Sequence, residues 1–338
     1  MQNEALISIV IPAHNSAEHL PVCLKALAAT GLAAAEVIVV DDASQDATVQ
    51  VARQWGARVL GTAADRGGPA AARNVGARAA RGELLLFLDA DVRPQPDCLR
   101  RVRAAFAAEP QLAACFGSYD DQPAEPNFSS QVKNLFHHYV HQTARENAAT
   151  FWAGCGATRR PVFMALGGFD EAYRRPSIED IELGYRLRQA GHQIRLEKGL
   201  QVQHLKRWTL ASLLISDIRD RALPWSRLIL ARRWAPSDLN LGSRSRLSAL
   251  LAVAAAAGLI SAPWLAWAGP AGLGLVGLIG ALNGDLYRFF LRKRGPWFAL
   301  RAIAWHLSYL LYASLTLGLA VGSAAAGLRP RWRAPRFS

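Results

Sequence analysis

Cysteine is scarce in this sequence. The four cysteines, Cys23, Cys98, Cys115 and Cys155, have no spacing typical of a metal site, and nothing in the sequence forces them to pair. Their small number excludes a disulfide scaffold and favours a reducing compartment. The N-terminus also lacks a basic stretch followed by an apolar stretch and a cleavage site, so we expect no signal peptide and a cytosolic N-terminal part.

Acidic residues are scarce only in the C-terminal part. Lys and Arg outnumber Asp and Glu by 39 to 26 over the whole chain. Residues 1–205 hold 21 basic and 22 acidic residues, whereas residues 206–338 hold 18 basic and 4 acidic ones. Because the first part is slightly acidic, we exclude nucleic acid as a partner and relate the basic excess to membrane lipids.

Charged residues are absent from two long stretches, 247–284 and 302–328, of 38 and 27 residues. About 20 apolar residues cross a hydrocarbon core of ~30 Å, so the first stretch allows two spans and the second allows one. Tryptophans at their edges favour membrane helices over the alternative, buried core helices. We predict a transmembrane region over 247–328 with about three spans, a basic tail over 329–338, and a multi-pass inner-membrane protein with a cytoplasmic catalytic domain.

The number of spans follows less directly from the charges. Three spans would put the basic residues between 288 and 294 on the cytoplasmic side, as the charge bias favours, but would send the basic tail outward. A re-entrant segment within 287–300, or two or four spans, would remove this conflict.

A segment over 206–240 separates the slightly acidic part from the predicted spans. Apolar residues recur in it at the spacing of one helix face: Ala211, Leu214, Ile215, Ile218 and Ala222. This stripe predicts interfacial amphipathic helices on the cytoplasmic leaflet, interrupted at Pro224, which would bring the catalytic domain to the membrane. The alternative is a helix that packs on that domain.

The first hundred residues alternate strand-like and helix-like segments. The strand-like runs are 6–13, 36–42, 57–62 and 83–91, and the helix-like segments are 17–29, 44–54 and 70–80. Ser44 is the expected N-cap of the second helix. This alternation predicts an α/β fold with a mostly parallel central sheet, whose ligands bind beyond the carboxyl ends of the strands.

Two predicted strands end in acids, which are Asp41, Asp42, Asp89 and Asp91. Carboxylates that meet at one edge of a sheet repel each other unless a cation or hydrogen-bond donors are present. Oxygen ligands with room for phosphate suit Mg²⁺ or Mn²⁺. Arg73 and Asn74, near the start of a helix, are candidates for anion binding, although Arg73 could equally pair with Asp89 or Asp91.

Six sequence blocks follow one another between residues 6 and 204: VIPAHN, VIVVDDASQDAT, GGPAAARNVGARAARGE, LLFLDADV, LGGFDEAY and IEDIELGYRLRQAG. Their order resembles that of glycosyltransferase family 2 enzymes, which have the GT-A fold. The resemblance implies a GT-A nucleotide-diphospho-sugar transferase fold with a nucleotide-sugar-binding half over 1–115. It implies an acceptor-binding and catalytic-base half over 116–205.

The resemblance also implies the donor site. The expected nucleotide-sugar-binding residues are Pro12, Ala13, Asn15, Asp41, Asp42, Arg73, Asn74, Asp89, Ala90 and Asp91. Asp41 or Asp42 would accept a hydrogen bond from the nucleotide, and Asp89 would face the ribose. Asp91 would bind the divalent metal, with Asp89 and His204 as further candidate ligands. His14 departs from the family, in which tyrosine is commoner at this position.

Asp180 matches the general base of the family, which would deprotonate the acceptor hydroxyl. Without the resemblance, Asp180 could equally be a capping residue of the helix predicted over 181–190. Glu179 and Glu182 are expected to support the site from behind or to be solvated. The candidate acceptor-side residues are Trp152, Gly154, Gly168, Phe169 and Glu179.

These expectations together predict a membrane-bound inverting glycosyltransferase. It would use a nucleotide-diphospho-sugar and Mg²⁺ or Mn²⁺, and act on a lipid-linked or membrane-proximal glycan acceptor. One alternative is an enzyme similar to a sugar-nucleotide pyrophosphorylase, but the loop after the first strand lacks the glycines and basic residues this needs. Another is a non-catalytic GT-A scaffold of a polysaccharide assembly complex, although both Asp91 and Asp180 are present.

Overall fold

The computed structural model of the chain describes residues 6–31, 35–62 and 66–327. Within them the chain forms two compact units, the first ending at Thr209 and the second beginning at Leu210. The basic tail predicted over 329–338 lies outside the described residues. The predicted division of the first unit into two functional halves stays a prediction.

The first unit begins with three strand–helix repeats, as the alternation of apolar segments predicts. The bounds are β1 Ile7–Ala13, α1 Leu20–Ala28, β2 Ala35–Asp41, α2 Thr48–Gln54, β3 Arg58–Gly61, α3 Gly68–Ala79 and β4 Leu84–Leu88. The four strands are parallel and lie in the order β3-β2-β1-β4. Because parallel strands end at one edge of a sheet, the acids after β2 and β4 lie on the same edge.

The rest of the first unit completes an eight-stranded sheet. Its elements are β5 Val92–Pro94, α4 Cys98–Ala108, β6 Leu112–Tyr119, α5 Phe128–Thr143, β7 Cys155–Arg159, α6 Arg160–Ala165, α7 Glu179–Gln189 and β8 Gln193–His204. The full order is β3-β2-β1-β4-β7-β6-β8-β5, in which β7 is antiparallel to both neighbours and β5 is antiparallel to β8. The β6–β8 pair is parallel, so the prediction of a mostly parallel sheet is confirmed.

The core of the first unit lies between this sheet and the helices on its faces. Strand β4 is buried along its whole length, as expected for a strand covered on both faces. Helix α3 packs directly on β1 because Gly76 has no side chain, since a Cβ there would lie 2.3 Å from Cγ1 of Val10. The four cysteines are free and buried.

Helix α2 begins later than predicted. It starts at Thr48 with Ala47 as its N-cap, so the prediction of Ser44 as the N-cap is wrong. Ser44 instead accepts a hydrogen bond at Oγ from the backbone N–H of Asn15 at 2.9 Å. Serine side chains bond readily to nearby loop backbone, and here the loop after β1 competes successfully for this oxygen.

The second unit begins with a helical stretch of three parts: α8 Leu210–Ile215, a π-helical segment Ser216–Ala222, and α9 Leu223–Arg232. The predicted interruption at Pro224 is wrong, because helical geometry continues through Ala222 and Leu223 into α9. Pro224 is the second residue of α9, inside this continuous helical stretch, where proline removes one backbone N–H donor. The wider π turns precede it and absorb the irregularity.

Both apolar and charged side chains of this stretch are exposed, and Arg219 is 55% exposed. Ile215 and Ile218 of the predicted apolar stripe are 47% and 37% exposed, whereas Asp217 is buried. The Asp217 carboxylate accepts a hydrogen bond from the Tyr312 hydroxyl at 2.7 Å. Acids that face inward while apolar residues face outward are typical of a surface in contact with lipid. Contact of this stretch with a membrane stays a prediction.

Three apolar helices follow, α10 Ser243–Ser261, α11 Ala268–Leu282 and α12 Gly284–Ala325. By length and composition α10 and α12 could cross a membrane. Helix α11 has 15 residues, which reach only ~22 Å at ~1.5 Å per residue. The described residues therefore contain two candidate spans and one shorter apolar helix, where the sequence predicts about three spans. Helix α12 is kinked at Gly295, whose φ is 82°, next to Pro296.

Candidate active site

The two acids after β2 differ in their hydrogen bonding. Asp42 is buried, and its carboxylate accepts hydrogen bonds from the backbone N–H groups of Gly67 and Gly68 at 2.8 and 2.9 Å. These bonds fix the loop that leads into α3. Asp41 is only partly buried, and its carboxylate oxygens lie 3.3 and 3.4 Å from the backbone nitrogen of Ser44. Of the two acids, Asp41 has the greater capacity to accept a hydrogen bond from a ligand.

The loops after β1 and β2 are joined at the same edge of the sheet. Pro12 and Ala13 are the last residues of β1, and Ala13 pairs with Asp41. Asn15 has a left-handed backbone with φ 48°, and its Oδ1 accepts a hydrogen bond from the backbone N–H of Gln45 at 2.8 Å. The predicted nucleotide-contacting residues of these two loops therefore lie side by side at one edge of the sheet, where hydrogen bonds join the loops.

His14, at the position where tyrosine is commoner in family 2, is held by its own loop. Its Nδ1 lies 2.7 Å from the carbonyl oxygen of Asp42. A carbonyl only accepts hydrogen bonds, so Nδ1 carries the proton in this arrangement. The side chain is half-buried and ties the β1 loop to the β2 loop.

The sequence Asp89-Ala90-Asp91 follows β4 directly. Asp89 Oδ1 accepts a hydrogen bond from Nη2 of Arg73 at 2.7 Å. Burial raises the pKa of the Asp89 carboxyl above its usual range, the Arg73 guanidinium opposes this shift, and the charge on Asp91 adds to it. The strand end thus carries two carboxyl groups, of which Asp89 pairs with Arg73.

The guanidinium of Arg73 lies between carboxylates from two distant parts of the chain. Nη2 donates to Asp89, and Nη1 donates to Glu179 Oε1 at 2.9 Å, with both Arg73 and Glu179 buried. Burial lowers the pKa of Arg73, but the negative charges of Asp89, Glu179 and Asp180 outweigh burial and raise it above its usual range. The sequence offers Asp89 and Asp91 as partners of Arg73, and the structure pairs it with Asp89. The sequence gives no sign of the second pairing, with Glu179.

Asp180 lies in the first turn of α7, whose N-cap is Ile178. The alternative interpretation of Asp180 as a capping residue is therefore wrong. Its Oδ2 accepts a hydrogen bond from the backbone N–H of Ala153 at 3.1 Å, and its Oδ1 accepts one from Ile181 at 2.8 Å. The loop that carries Trp152 and Gly154 thereby fixes the orientation of this carboxylate.

Asn74 fastens the loop that contains Gly168 and Phe169. Its Oδ1 accepts from the backbone N–H of Phe169 at 2.9 Å, and its Nδ2 donates to the carbonyl of Phe169 at 2.8 Å and to Glu171 at 2.9 Å. Gly168 has φ +77°, and a Cβ there would lie 2.4 Å from Asn74 Oδ1. Since both ends of the amide are engaged within the protein, contact of Asn74 with the donor stays a prediction.

Glu182, which the sequence suggested was supporting or solvated, is fully buried. It accepts hydrogen bonds from Arg186 Nε at 2.8 and 2.9 Å. Arg186 in turn donates to the carbonyl oxygens of Leu166 and Gly168 at 2.7 and 2.6 Å. The Glu182–Arg186 pair therefore holds the glycine loop from the side of α7, so that of the two alternatives Glu182 fits the supporting one.

Trp152 belongs to a group of rings on the candidate acceptor side. Its ring centroid lies 4.9 Å from that of Tyr119 and 4.7 Å from that of His137. Gly154 is required here, because a Cβ on it would lie 2.4 Å from the Trp152 ring. Sequence reasoning missed Tyr119 and His137, since no local pattern links strand β6 and helix α5 to the Trp152 loop.

His204, at the end of β8, lies next to the acids of β4. Its ring stacks on Tyr119 at 4.3 Å, and its Nε2 lies 3.9 Å from Asp91 Oδ2. In the described ranges no three His, Cys, Asp or Glu side chains gather closely enough to hold a metal by themselves. Mg²⁺ and Mn²⁺ do not need such a cage, because they bind through one or two carboxylates together with phosphate oxygens. Asp91 with Asp89 fits that donor set.

Comparison with known proteins gives a consistent result. Residues 8–167 match the family described as glycosyl transferase family 2. Validoxylamine A glucosyltransferase of Streptomyces hygroscopicus subsp. jinggangensis is 32% identical over 241 residues, which cover 59% of this chain and 56% of that protein. Succinoglycan biosynthesis protein ExoO of Rhizobium meliloti is 42% identical over 110 residues, 32% of each chain. The chain thus spans just over half of the first relative and a third of the second.

Two solved structures resemble the chain in fold. Mannosyltransferase PcManGT from Pyrobaculum calidifontis, in complex with GDP-Man and Mn²⁺, has a TM-score of 0.60 at 18% identity, with 94% of this chain and 88% of that chain covered. S. aureus TarS 1–349, in complex with UDP-GlcNAc, has a TM-score of 0.51 at 20% identity, with 95% and 92% covered. The prediction of a GT-A α/β fold followed by apolar helices is confirmed.

Proposed function

Since the chain belongs, through residues 8–167, to glycosyl transferase family 2, we propose that it is a membrane-bound inverting glycosyltransferase. It transfers a sugar from a nucleotide-diphospho-sugar to a hydroxyl of a lipid-linked or membrane-proximal glycan. The observation that carries this proposal is the convergence of acids from two blocks that lie far apart in the sequence. Arg73 joins Asp89 to Glu179, and Glu179 is the immediate neighbour of Asp180.

Asp180 is the general base in this proposal. The backbone N–H groups of Ala153 and Ile181 donate hydrogen bonds to its carboxylate and orient it. A base in hydrogen-bond reach of that hydroxyl takes its proton as the oxygen attacks the anomeric carbon. Attack from the face opposite the leaving phosphate inverts the configuration of the sugar.

The donor occupies the edge formed by the ends of β1, β2 and β4. Asp41 accepts a hydrogen bond from the nucleoside, and Asp91, with Asp89 and His204 beside it, holds a divalent metal. When bound, Mg²⁺ or Mn²⁺ neutralises charge that develops on the departing nucleoside diphosphate. The position of Asp89 and Asp91 at the end of β4, with His204 Nε2 3.9 Å from Asp91 Oδ2, supports this assignment.

The second unit supports the membrane part of the proposal. Trp264 and Trp267, in the connection between α10 and α11, and Trp297 in α12 are 78%, 69% and 70% accessible. Tryptophan is enriched where a protein crosses from lipid to water. A catalytic unit tethered to a bilayer meets membrane-linked acceptors at a high effective concentration, which is the basis for assigning that acceptor class.

Donor turnover by the full chain in detergent or nanodiscs tests the function. UDP-, GDP- and TDP-sugars are each incubated with the protein, with Mn²⁺ or with EDTA, and release of nucleoside diphosphate is measured. We expect one donor to be hydrolysed slowly, faster when a glycolipid extract is added, and not in EDTA. Binding of a donor without any turnover would favour the non-catalytic scaffold, and the absence of both would contradict the proposal.

The membrane assignment has its own test. The full chain is mixed with vesicles that contain anionic lipid, floated on a density gradient, and washed at high salt and then at alkaline pH. Spanning helices resist both washes, whereas a protein bound only through arginines is released by salt. Release at high salt would contradict the proposed spans.

A further inference from the structure

We propose that Arg73 is a positioning residue, which fixes the orientation of Asp180 relative to the donor end of β4 by holding Glu179. This inference rests on the proposed function, in which Asp180 is the base and Asp89 and Asp91 belong to the donor site. It differs from the expectation that Arg73 binds the donor phosphates.

The guanidinium of Arg73 contacts two carboxylates and one aromatic ring. Arg73 donates through Nη2 to Asp89 at 2.7 Å and through Nη1 to Glu179 at 2.9 Å, and its plane lies 5.5 Å from the centroid of the Phe169 ring. Arginine is suited to this arrangement because its donors form a rigid planar fork. The distance between the end of β4 and the start of α7 is therefore set by one side chain.

Glu179 connects Arg73 to the proposed base, Asp180. Glu179 Oε2 accepts a hydrogen bond from the backbone N–H of Ser177 at 2.9 Å, so both carboxylate oxygens are engaged. Asp180 is the next residue in the same helical turn, and its Oδ2 is held by Ala153 at 3.1 Å. Movement of Glu179 would rotate this turn and pull Asp180 away from Ala153.

The Arg73–Glu179 ion pair is buried, and burying two charges costs free energy. Arg73 and Glu179 are 5% and 4% exposed, and a buried ion pair adds little to stability compared with apolar residues of similar size. Its value lies in orientation, because an aliphatic residue at position 73 could not hold two carboxylates apart at fixed distances.

Arg73 also changes the electrostatic environment of the proposed base. The charged groups around the start of α7 are Arg73 from α3, Asp89 from the end of β4, and Glu179 and Glu182 within α7 itself, with Glu182 paired to Arg186. Arg73 pairs with Asp89 and Glu179 and also interacts electrostatically with Asp180. A change at Arg73 should therefore alter the pH dependence of the base as well as its geometry.

The test compares Arg73→Lys, Arg73→Gln and Glu179→Gln with Arg78→Gln as the matched control. Arg78 lies on the same helix, 57% exposed, in a loose 3.7 Å pair with Glu171. The full chain is assayed in detergent for kcat, donor KM and the pH dependence of kcat, and its folding is checked by thermal unfolding.

We expect kcat to fall about 10–100-fold in Arg73→Gln and Glu179→Gln, while donor KM changes less than about threefold. The acidic limb of the kcat profile should move to higher pH in Arg73→Gln and to lower pH in Glu179→Gln, because the first removes a cation and the second an anion near the base. Arg73→Lys should keep the position of the limb and recover part of kcat. Arg78→Gln should behave like the wild type.

Other outcomes would overturn the inference. A rise in donor KM with unchanged kcat would show that Arg73 acts on the donor. Loss of activity without movement of the acidic limb, or movement in the same direction in both charge variants, would indicate a merely structural role. If Arg73→Gln does not fold, Glu179→Gln and Arg73→Lys decide the matter. An inactive wild type would refute the proposed function. An active wild type, together with Arg73 and Glu179 variants that behave like it, would refute only this inference.

Discussion

The two units of this chain expose opposite kinds of side chain. In the first unit the exposed large apolar residues among those described are Leu6, Val22, Trp55 and Met164, each less than 45% accessible. In the second unit Leu250, Ile260 and Leu319 are about 70% accessible, while Asp217 and His306 are buried. The first distribution suits water and the second suits a hydrocarbon solvent. The difference separates a unit whose acids are oriented by hydrogen-bond donors from a unit whose large apolar side chains are exposed.

The largest expected effect concerns chemistry confined to the first unit. Asp180→Asn removes the proposed base and keeps its size, and Asp91→Ala removes a proposed metal ligand. We expect each to lower transfer about 10²-fold or more, which is typical of losing a general base or an electrostatic contact to the leaving group. The measurement is initial rate with the preferred donor in detergent.

The control for this prediction lies in the second unit. Asp285→Asn changes an acid that is 57% exposed at the start of α12 and should leave transfer unchanged. Wild-type turnover in Asp180→Asn would remove Asp180 from the mechanism. A comparable loss in Asp285→Asn would show that chemistry is not confined to the first unit.

Sequence patterns predicted the four parallel strands β1 to β4, of which β2 and β4 are apolar runs followed or ended by acids. They also identified Asp89, Asp91 and Asp180 as candidates, through blocks that are recognisable locally. They missed the Arg73–Glu179 pair and the rings of Tyr119 and His137, because those contacts join residues that lie far apart in the chain. The Ser44 cap was wrong for the same reason, since its partner Asn15 lies in another loop.

The next effect compares packing in the two units. In Gly76→Ala the new Cβ would lie 2.3 Å from Cγ1 of Val10 in a close-packed core, so we expect a loss of about 1–3 kcal/mol of stability. Gly277→Ala in α11 is the matched control, because nothing lies within 4 Å of a Cβ there, and alanine favours a helix by up to ~1 kcal/mol. Calorimetry in detergent should show a lower Tm only for the first variant. Equal effects would mean that both units are packed alike.

A smaller effect is expected from the inward-facing polar contact of the second unit. Tyr312→Phe removes the hydroxyl that donates to the buried Asp217 carboxylate at 2.7 Å, which should cost about 1–2 kcal/mol. Ser308→Ala is the control, since Ser308 is exposed and bonds only within its own helix, to the carbonyl of Ala304. Thermal unfolding in detergent measures both. A stabilised Tyr312→Phe variant would contradict the view that this unit keeps its polar groups satisfied inside.

The smallest effect is a pH dependence in the first unit, at an acid remote from the site. Burial raises the pKa of Glu36, but hydrogen bonds from Ser8 and the Arg81 backbone N–H, with the Arg81 charge, outweigh it and lower the pKa. Because the folded-state pKa is below the unfolded value of ~4.3, the stabilisation is present above that pH and is lost as pH falls through the folded-state pKa. Glu36→Gln should therefore cost about 0.5–1 kcal/mol at pH 7, a modest value because Arg81 is largely exposed. Urea titrations at several pH values measure the difference in free energy of unfolding between Glu36→Gln and the wild type, which should vanish below about pH 3.

Glu83→Gln, at an exposed acid, is the control and should show no such difference at any pH. A difference for Glu36→Gln that persists in acid would mean that the shape of Glu36, and not its charge, stabilises the fold.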